Sequence, residues 1–134
     1  STLMRSSAAS DVYKRQVETS YGRFEIKIFP CSGEKILEKK YTKWFDCDKI
    51  NCELTVRTRR SGDYMAVSQS GGHKKLTRCM IDDKIPGELR GKLPLVVDGN
   101  EVLWIVGGRI NERYKITSET GRVLEITYQG GIRK

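Results

Sequence analysis

Apolar and polar residues alternate in several short runs along this chain, and each run predicts a strand. In residues 23–29 (RFEIKIF), Phe24, Ile26 and Ile28 share one face, because successive side chains of a strand point to opposite sides. Pro30 and Ser32-Gly33 end that run. Residues 34–40 (EKILEKK) fit helix and strand equally, and residues 41–45 (YTKWF) read as extended before a turn over Asp46 to Lys49. In residues 52–60 (CELTVRTRR), Cys52, Leu54, Val56 and Thr58 take one face, and Glu53, Thr55, Arg57 and Arg59 take the other. Ser61-Gly62-Asp63 then reads as a turn. Residues 94–98 (PLVVD) and 101–106 (EVLWIV) flank Asp98-Gly99-Asn100, which predicts a hairpin. Gly107-Gly108 breaks its second arm, and residues 122–128 (RVLEITY) make a final strand.

The period changes in residues 73–84 (HKKLTRCMIDDK), where Leu76, Cys79 and Met80 form a stripe at helical spacing. Pro86 opens a second short helix, since its missing N–H is no loss at a first helical position. No internal repeat is present. The elements together predict a mainly β, α+β domain with one or two short helices. Residues 1–16 lack apolar periodicity and are rich in small polar residues, which predicts a disordered leader. Within it, MRSSAASDVYKRQ resembles translated adaptor sequence, so the leader is set outside the domain. Residues 17–40 are read as a linking segment or the first strands, and residues 41–134 as the domain proper.

A length of 134 residues suits one domain. No run of about 18 apolar residues occurs, which excludes a helical membrane span and, with no secretory pattern, points to a cytoplasmic setting with no membrane partner. The cysteines at 31, 47, 52 and 79 are irregularly spaced and there is one histidine, which gives no zinc pattern and implies reduced thiols. Cys79, on the helical stripe, reads as buried and inert. The net charge of +8 favours an acidic partner such as nucleic acid. That charge is uneven: residues 55–92 carry nine Lys/Arg against four Asp/Glu, whereas residues 1–54 carry ten against eight.

The candidate chemistry sits in this basic stretch. Ser70-Gly71-Gly72-His73-Lys74-Lys75 places two glycines and two lysines at the expected helix start, where the dipole disfavours cations; Asp82 and Asp83 sit at the equally unfavourable other end. One explanation is a phosphate site: backbone N–H groups at Gly71 and Gly72, with His73, Lys74, Lys75 and Arg78 around them. The other is solvated charge with partners elsewhere. Arg57 and Arg59, flanked by Arg60, either follow a phosphate backbone from an exposed sheet face or form cross-strand salt bridges. Arg109, Arg113 and Lys115 follow the second Gly-Gly. Ser70-Gly71-Gly72 is not followed by the Asp-Ser of a pyrophosphatase loop (SGGxDS), and no Walker pattern occurs. The aspartates form no metal motif, and no nucleophile, base and orienting group fall into a set.

Further residues carry a family resemblance: Tyr41-Thr42-Lys43-Trp44-Phe45-Asp46, Val56-Arg57-Thr58-Arg59-Arg60-Ser61-Gly62-Asp63, Lys74-Lys75-Leu76, Ile81-Asp82-Asp83-Lys84-Ile85-Pro86, Arg90, Pro94-Leu95-Val96, Val102 to Gly107, Arg109-Ile110 and Arg113-Tyr114-Lys115, in that order. This string resembles the C-terminal region of bacterial tRNA(Ile)-lysidine synthetases, especially clostridia-like forms, over about residues 41–128. The family enzyme attaches lysine to the wobble cytidine of an isoleucine tRNA with ATP and Mg, using an N-terminal domain that carries SGGxDS. The resemblance therefore implies a non-catalytic fragment with no cofactor of its own. It implies a β-sandwich-like module that grips the tRNA acceptor stem, with the catalytic domain of the same enzyme, or a second copy, as the other partner. Lys74, Lys75, Arg78, Arg57, Arg59 and Arg60 are the first expected contacts, and Lys84, Arg90, Arg109, Arg113 and Lys115 the second. The sequence departs from the family's pattern at Tyr64, Cys79, Gly87 and Gly91.

Overall fold

The computed structural model describes residues 2–4, 13–31, 40–50, 54–68 and 72–130. In chain order the elements are β1 (Thr2–Met4), β2 (Tyr13–Thr19), β3 (Gly22–Pro30), β4 (Thr42–Asp46), β5 (Leu54–Arg57), β6 (Tyr64–Ala66), β7 (His73–Lys75), α1 (Leu76–Asp82), α2 (Gly87–Arg90), β8 (Leu95–Asp98), β9 (Glu101–Ile105) and β10 (Arg122–Tyr128). Short 3-10 turns cover Cys47–Lys49 and Glu112–Tyr114. The strands form two sheets, ordered β1-β5-β8-β9-β6-β7 and β2-β3-β10-β4. The mainly β architecture expected from the alternating runs, and the two-sheet sandwich that the resemblance implies, are both observed.

The sheets face each other across a core built by that alternation. Phe24, Ile26 and Ile28 of β3, Phe45 of β4 and Leu124 and Ile126 of β10 meet Leu54, Val56, Val96, Leu103 and Trp104 of the six-stranded sheet. The opposite face of that sheet is also covered. Leu95, Val97, Val102 and Ile105 pack against Leu76, Cys79 and Met80 of α1 and Met65 of β6. Two buried faces explain why 95–97 and 102–106 read as continuous apolar runs rather than alternating ones. A bulge lets β9 serve both layers. Val96 pairs with Trp104 and Val97 with Val102, so Leu103 is an extra residue. Leu103 and Trp104 consequently both enter the sandwich core, while Val102 and Ile105 turn to the helix.

The start of the helix and the surroundings of Arg57 differ from expectation. The helix starts at Leu76, not His73: His73–Lys75 form an edge strand paired with β6, all three residues exposed. Of the expected leader, Thr2–Met4 pair with Leu54–Val56 and Tyr13–Gln16 pair with β3. Partner strands supply their backbone hydrogen bonds, a source that their own composition does not show. Arg57, read either as a phosphate contact on an exposed face or as a salt-bridge partner, is buried at 5% relative exposure and pairs with Asp63, because the turn after β5 closes over it. The ambiguous residues 34–39 and the positions Cys52, Ser70 and Gly71 lie outside the described residues.

Candidate nucleic-acid interface

The arginine-rich segment after β5 is tied down before it reaches solvent. Arg57 donates two parallel hydrogen bonds to the Asp63 carboxylate, at 2.9 and 2.7 Å, and further ones to the carbonyl oxygens of Thr58 and Gly99 at 2.9 Å. Asp63 also accepts from the Arg60 backbone N–H at 2.8 Å and the Asn100 amide at 3.3 Å. Burial pushes the Asp63 carboxyl up, but the Arg57, Arg60 and Asn100 hydrogen bonds outweigh it and hold the group below its ordinary value. Gly62, at φ +90, makes the intervening turn in a region that suits glycine. In the Arg57 to Asp63 stretch, the first and last residues therefore latch the loop onto the β8–β9 hairpin, and Arg59 and Arg60 are left exposed.

At the N-terminal end of α1 the loop meets β7. Arg60, Ser61, Gly62, Asp63, Tyr64, Lys75, Leu76 and Thr77 line a notch of about 400 Å³. The Leu76 N–H donates to the Asp63 carbonyl at 2.9 Å, which fixes the start of the helix against the loop. His73 packs edge-on against the Tyr64 ring with centroids 5.1 Å apart, on the same strand pair. Arg60 and Lys75 bring two cations to this notch, and neither has a carboxylate partner among the described residues. Gly72 sits in the β6–β7 turn, where its N–H donates to the Ser68 hydroxyl at 3.3 Å, so it does not serve the helix start.

Several other expected contacts are already engaged with acids. Lys74 and Arg78 share Asp82, at 3.1 and 3.5 Å, which accounts for the acid at the wrong end of the helix. The Lys74 hydrogen bond, with the charges of Lys74, Arg78 and Arg109, lowers the Asp82 carboxyl despite some desolvation. Arg109 grips Asp83 at 3.0 and 2.7 Å, and that hydrogen bond raises the guanidinium against the opposing effect of burial. Arg113 reaches Glu101 at 3.2 Å and Lys115 reaches Glu112 at 2.7 Å. Arg90 donates to the Ile85 carbonyl at 2.9 Å. Lys84 ends α1 with φ 60. The expected single cationic cradle thus resolves into Arg59, Arg60, Lys75 and Lys84 without acid partners among the described residues, and a ring of paired cations around them. Surface pairs of this kind contribute about 0–1 kcal/mol, so they can exchange partners. Cys79 is fully buried on the inner face of α1, and burial pushes its thiol up, which keeps it unreactive as expected.

A second depression lies at the other end of α1. Lys40, Tyr41, Asp83, Lys84, Pro86, Leu89 and Arg109 border a groove of about 640 Å³. Sequence reasoning did not assign Lys40, Tyr41 or Leu89 to a site. The signal was an aromatic directly after a basic pair, which alternation alone assigned to a strand. No group of three or more His, Cys, Asp or Glu among the described residues could hold a metal ion. Among the described residues no helix is long and apolar enough to cross a membrane.

Fold and surface define the class: a small β-sandwich, one sheet of which is capped by a short helix, with cations gathered at the helix ends. Residues 54–126 match the family model described as the TilS substrate C-terminal domain. The chain belongs to that family. It is 40% identical over 108 residues to the tRNA(Ile)-lysidine synthase of Caldanaerobacter subterraneus subsp. tengcongensis, covering 80% of this chain and 23% of that protein. It is 43% identical over 90 residues to the tRNA(Ile)-lysidine synthase of Clostridium tetani, covering 67% of this chain and 19% of the relative. The chain thus spans about a fifth of the length of these curated relatives. A solved structure, "Crystal structure of TILS C-terminal domain", superposes with a TM-score of 0.65 at 25% identity, covering 89% of this chain and 92% of the other.

Proposed function

We propose that this domain grips the acceptor stem of an isoleucine tRNA while a separate catalytic domain of the same cytoplasmic enzyme, using ATP and Mg, attaches lysine to the wobble cytidine. The carrying observation is the notch at the N-terminal end of α1, where Arg60 and Lys75 present two cations without acid partners among the described residues. A-form RNA hides its base edges in a deep groove, so a duplex is held through phosphates, 2′-hydroxyls and shape, which is what fixed, outward cations on a rigid sheet provide. The paired cations Lys74, Arg78 and Arg109 supply a second rank that can shift from carboxylate to phosphate. The family supports tRNA as the partner.

Titration of a labelled RNA duplex with the chain at several salt concentrations tests this. Log affinity should fall linearly with log salt, by about 0.7–0.9 for each phosphate neutralised. A flat response overturns the proposal. A second reading is that the domain docks on the catalytic domain or on a second copy. It is favoured by Ile81 and Leu89, large apolar side chains left 47% and 42% exposed. It predicts self-association, or capture by the catalytic part, without RNA affinity.

A further inference from the structure

The groove at the C-terminal end of α1 differs in kind from the notch. Tyr41 stands in it as a fin. Its ring lies on Gly107, 3.1 Å from where a Cβ would sit, and Gly107 holds φ +85. The ring also leans on Tyr128 with centroids 5.8 Å apart, and Tyr128 leans on Phe24 at 5.0 Å. Tyr128 is itself anchored, its hydroxyl donating to the Tyr21 carbonyl at 2.6 Å. The fin therefore stands on a stack of aromatic rings that continues into the core, yet Tyr41 remains 44% exposed. It has a depression on each side. One is the groove toward Lys84, Pro86 and Leu89; the other, of about 380 Å³, is bordered by Tyr128, Gln129 and Gly130.

Charge accompanies the ring. The Lys40 ammonium lies over the Tyr41 ring, 5.4 Å from its centroid, a surface lysine that must swing aside for a base to take that face. Lys84 borders the same groove from a left-handed backbone conformation that disfavours every residue with a Cβ, and lysine more than asparagine or glycine. Arg109 is neutralised by Asp83, so the groove carries a surplus of two positive charges. An apolar peptide has no use for that surplus. An anchored, exposed aromatic plate flanked by lysines that have no acid partner among the described residues is the arrangement that holds unpaired nucleotides, with bases on the ring and phosphates on the cations. The notch and the groove lie at opposite ends of α1, about 10 Å apart for a helix of this length.

We infer that this groove takes a single-stranded RNA end continuing from the bound duplex, with one base stacked on Tyr41 and its phosphates on Lys40 and Lys84. The inference rests on the duplex-gripping function proposed above. Three labelled hairpins of one stem sequence test it with the full chain: blunt, with a four-nucleotide 3′ overhang, and with a four-nucleotide 5′ overhang. One overhang should bind about fivefold to a hundredfold tighter than the blunt stem, the range expected for one stacked base. Tyr41→Ala should bring that probe to the blunt value, Tyr41→Phe should retain the gain, and Lys84→Asn, which suits the left-handed backbone, should lose part of it. Equal affinity for all three probes overturns the groove assignment and leaves the duplex grip standing. Binding of none overturns both. Equal RNA affinities combined with self-association that Tyr41→Ala abolishes assign the groove to a second copy instead, and overturn the inference.

Discussion

On the outer face of the four-stranded sheet, Glu125 of β10 receives the Trp44 indole N–H from β4 at 2.8 Å and the Lys27 ammonium from β3 at 3.8 Å. Phe29 closes over the same indole edge-on, with centroids 5.3 Å apart. Both flanking strands are in register with Glu125, so the cation there is answered by a neighbour on the same sheet. Around α1, on the far side of the molecule, Arg59, Arg60, Lys75 and Lys84 have no such answer among the described residues. The two regions are built from the same residue types within one fold. Pairing across strands answers Lys27, although Lys14, opposite it on β2, has no acid partner among the described residues; at the helix ends and turns a larger group of cations is left unanswered. Net charge alone, at +8, does not say on which side that unanswered charge gathers.

Substitutions on the two sides should separate them. The largest effect expected is on the latch that supports the basic loop. Arg57→Ala or Asp63→Ala strands a buried charge and should destabilise the fold by about 3–5 kcal/mol in urea unfolding, whereas Arg57→Met combined with Asp63→Leu should recover much of it. The Asp63 carboxyl lies lower in the folded than in the unfolded chain. Its contribution is therefore present above the unfolded value and lost as pH falls through the folded one. The double variant should show a shallower loss of stability below about pH 4 in the same unfolding assay.

Next comes the side proposed to bind RNA. Arg60→Ala with Lys75→Ala should flatten the salt slope for duplex RNA by about 1.4–1.8, two contacts' worth, with the melting temperature unchanged. A smaller loss is expected from Lys74→Ala, because Asp82 already offsets that charge; a filter-binding comparison with Lys75→Ala alone ranks the two. The smallest effect belongs to the balanced face. Lys27→Ala should leave RNA affinity within experimental error and change stability by less than about 1 kcal/mol in thermal melts. An RNA effect there equal to that of Lys75→Ala would erase the distinction between the two sides.

Much of the fold was legible because burial on one face writes a period of two. Phe24, Ile26 and Ile28, the Asp98–Asn100 hairpin and β10 stand where alternation and turn chemistry put them. His73–Lys75 were not legible: an edge strand exposed on both sides has no apolar residue to mark its phase, and the stripe starting at Leu76 drew the helix back over it. Arg57 stayed between two readings for the opposite reason. Alternation separates two faces, but it cannot tell that the facing sheet covers one and the Arg57–Asp63 turn closes over the other. The family string contained Arg57 and Asp63 together, yet resemblance identifies residues without saying which of them hold the scaffold. The groove stayed hidden because Lys40, Tyr41, Lys84 and Gly107 are far apart in sequence and meet only where β4, α1 and the end of β9 converge.

The Arg57–Asp63 latch has one more consequence. Because both ends of the arginine-rich turn are fastened to a hairpin of the main sheet, the backbone beneath Arg59 and Arg60 has little freedom left to surrender when a ligand arrives. Association then costs mainly the stilling of side chains, so even a modest number of contacts can translate into a long dwell time.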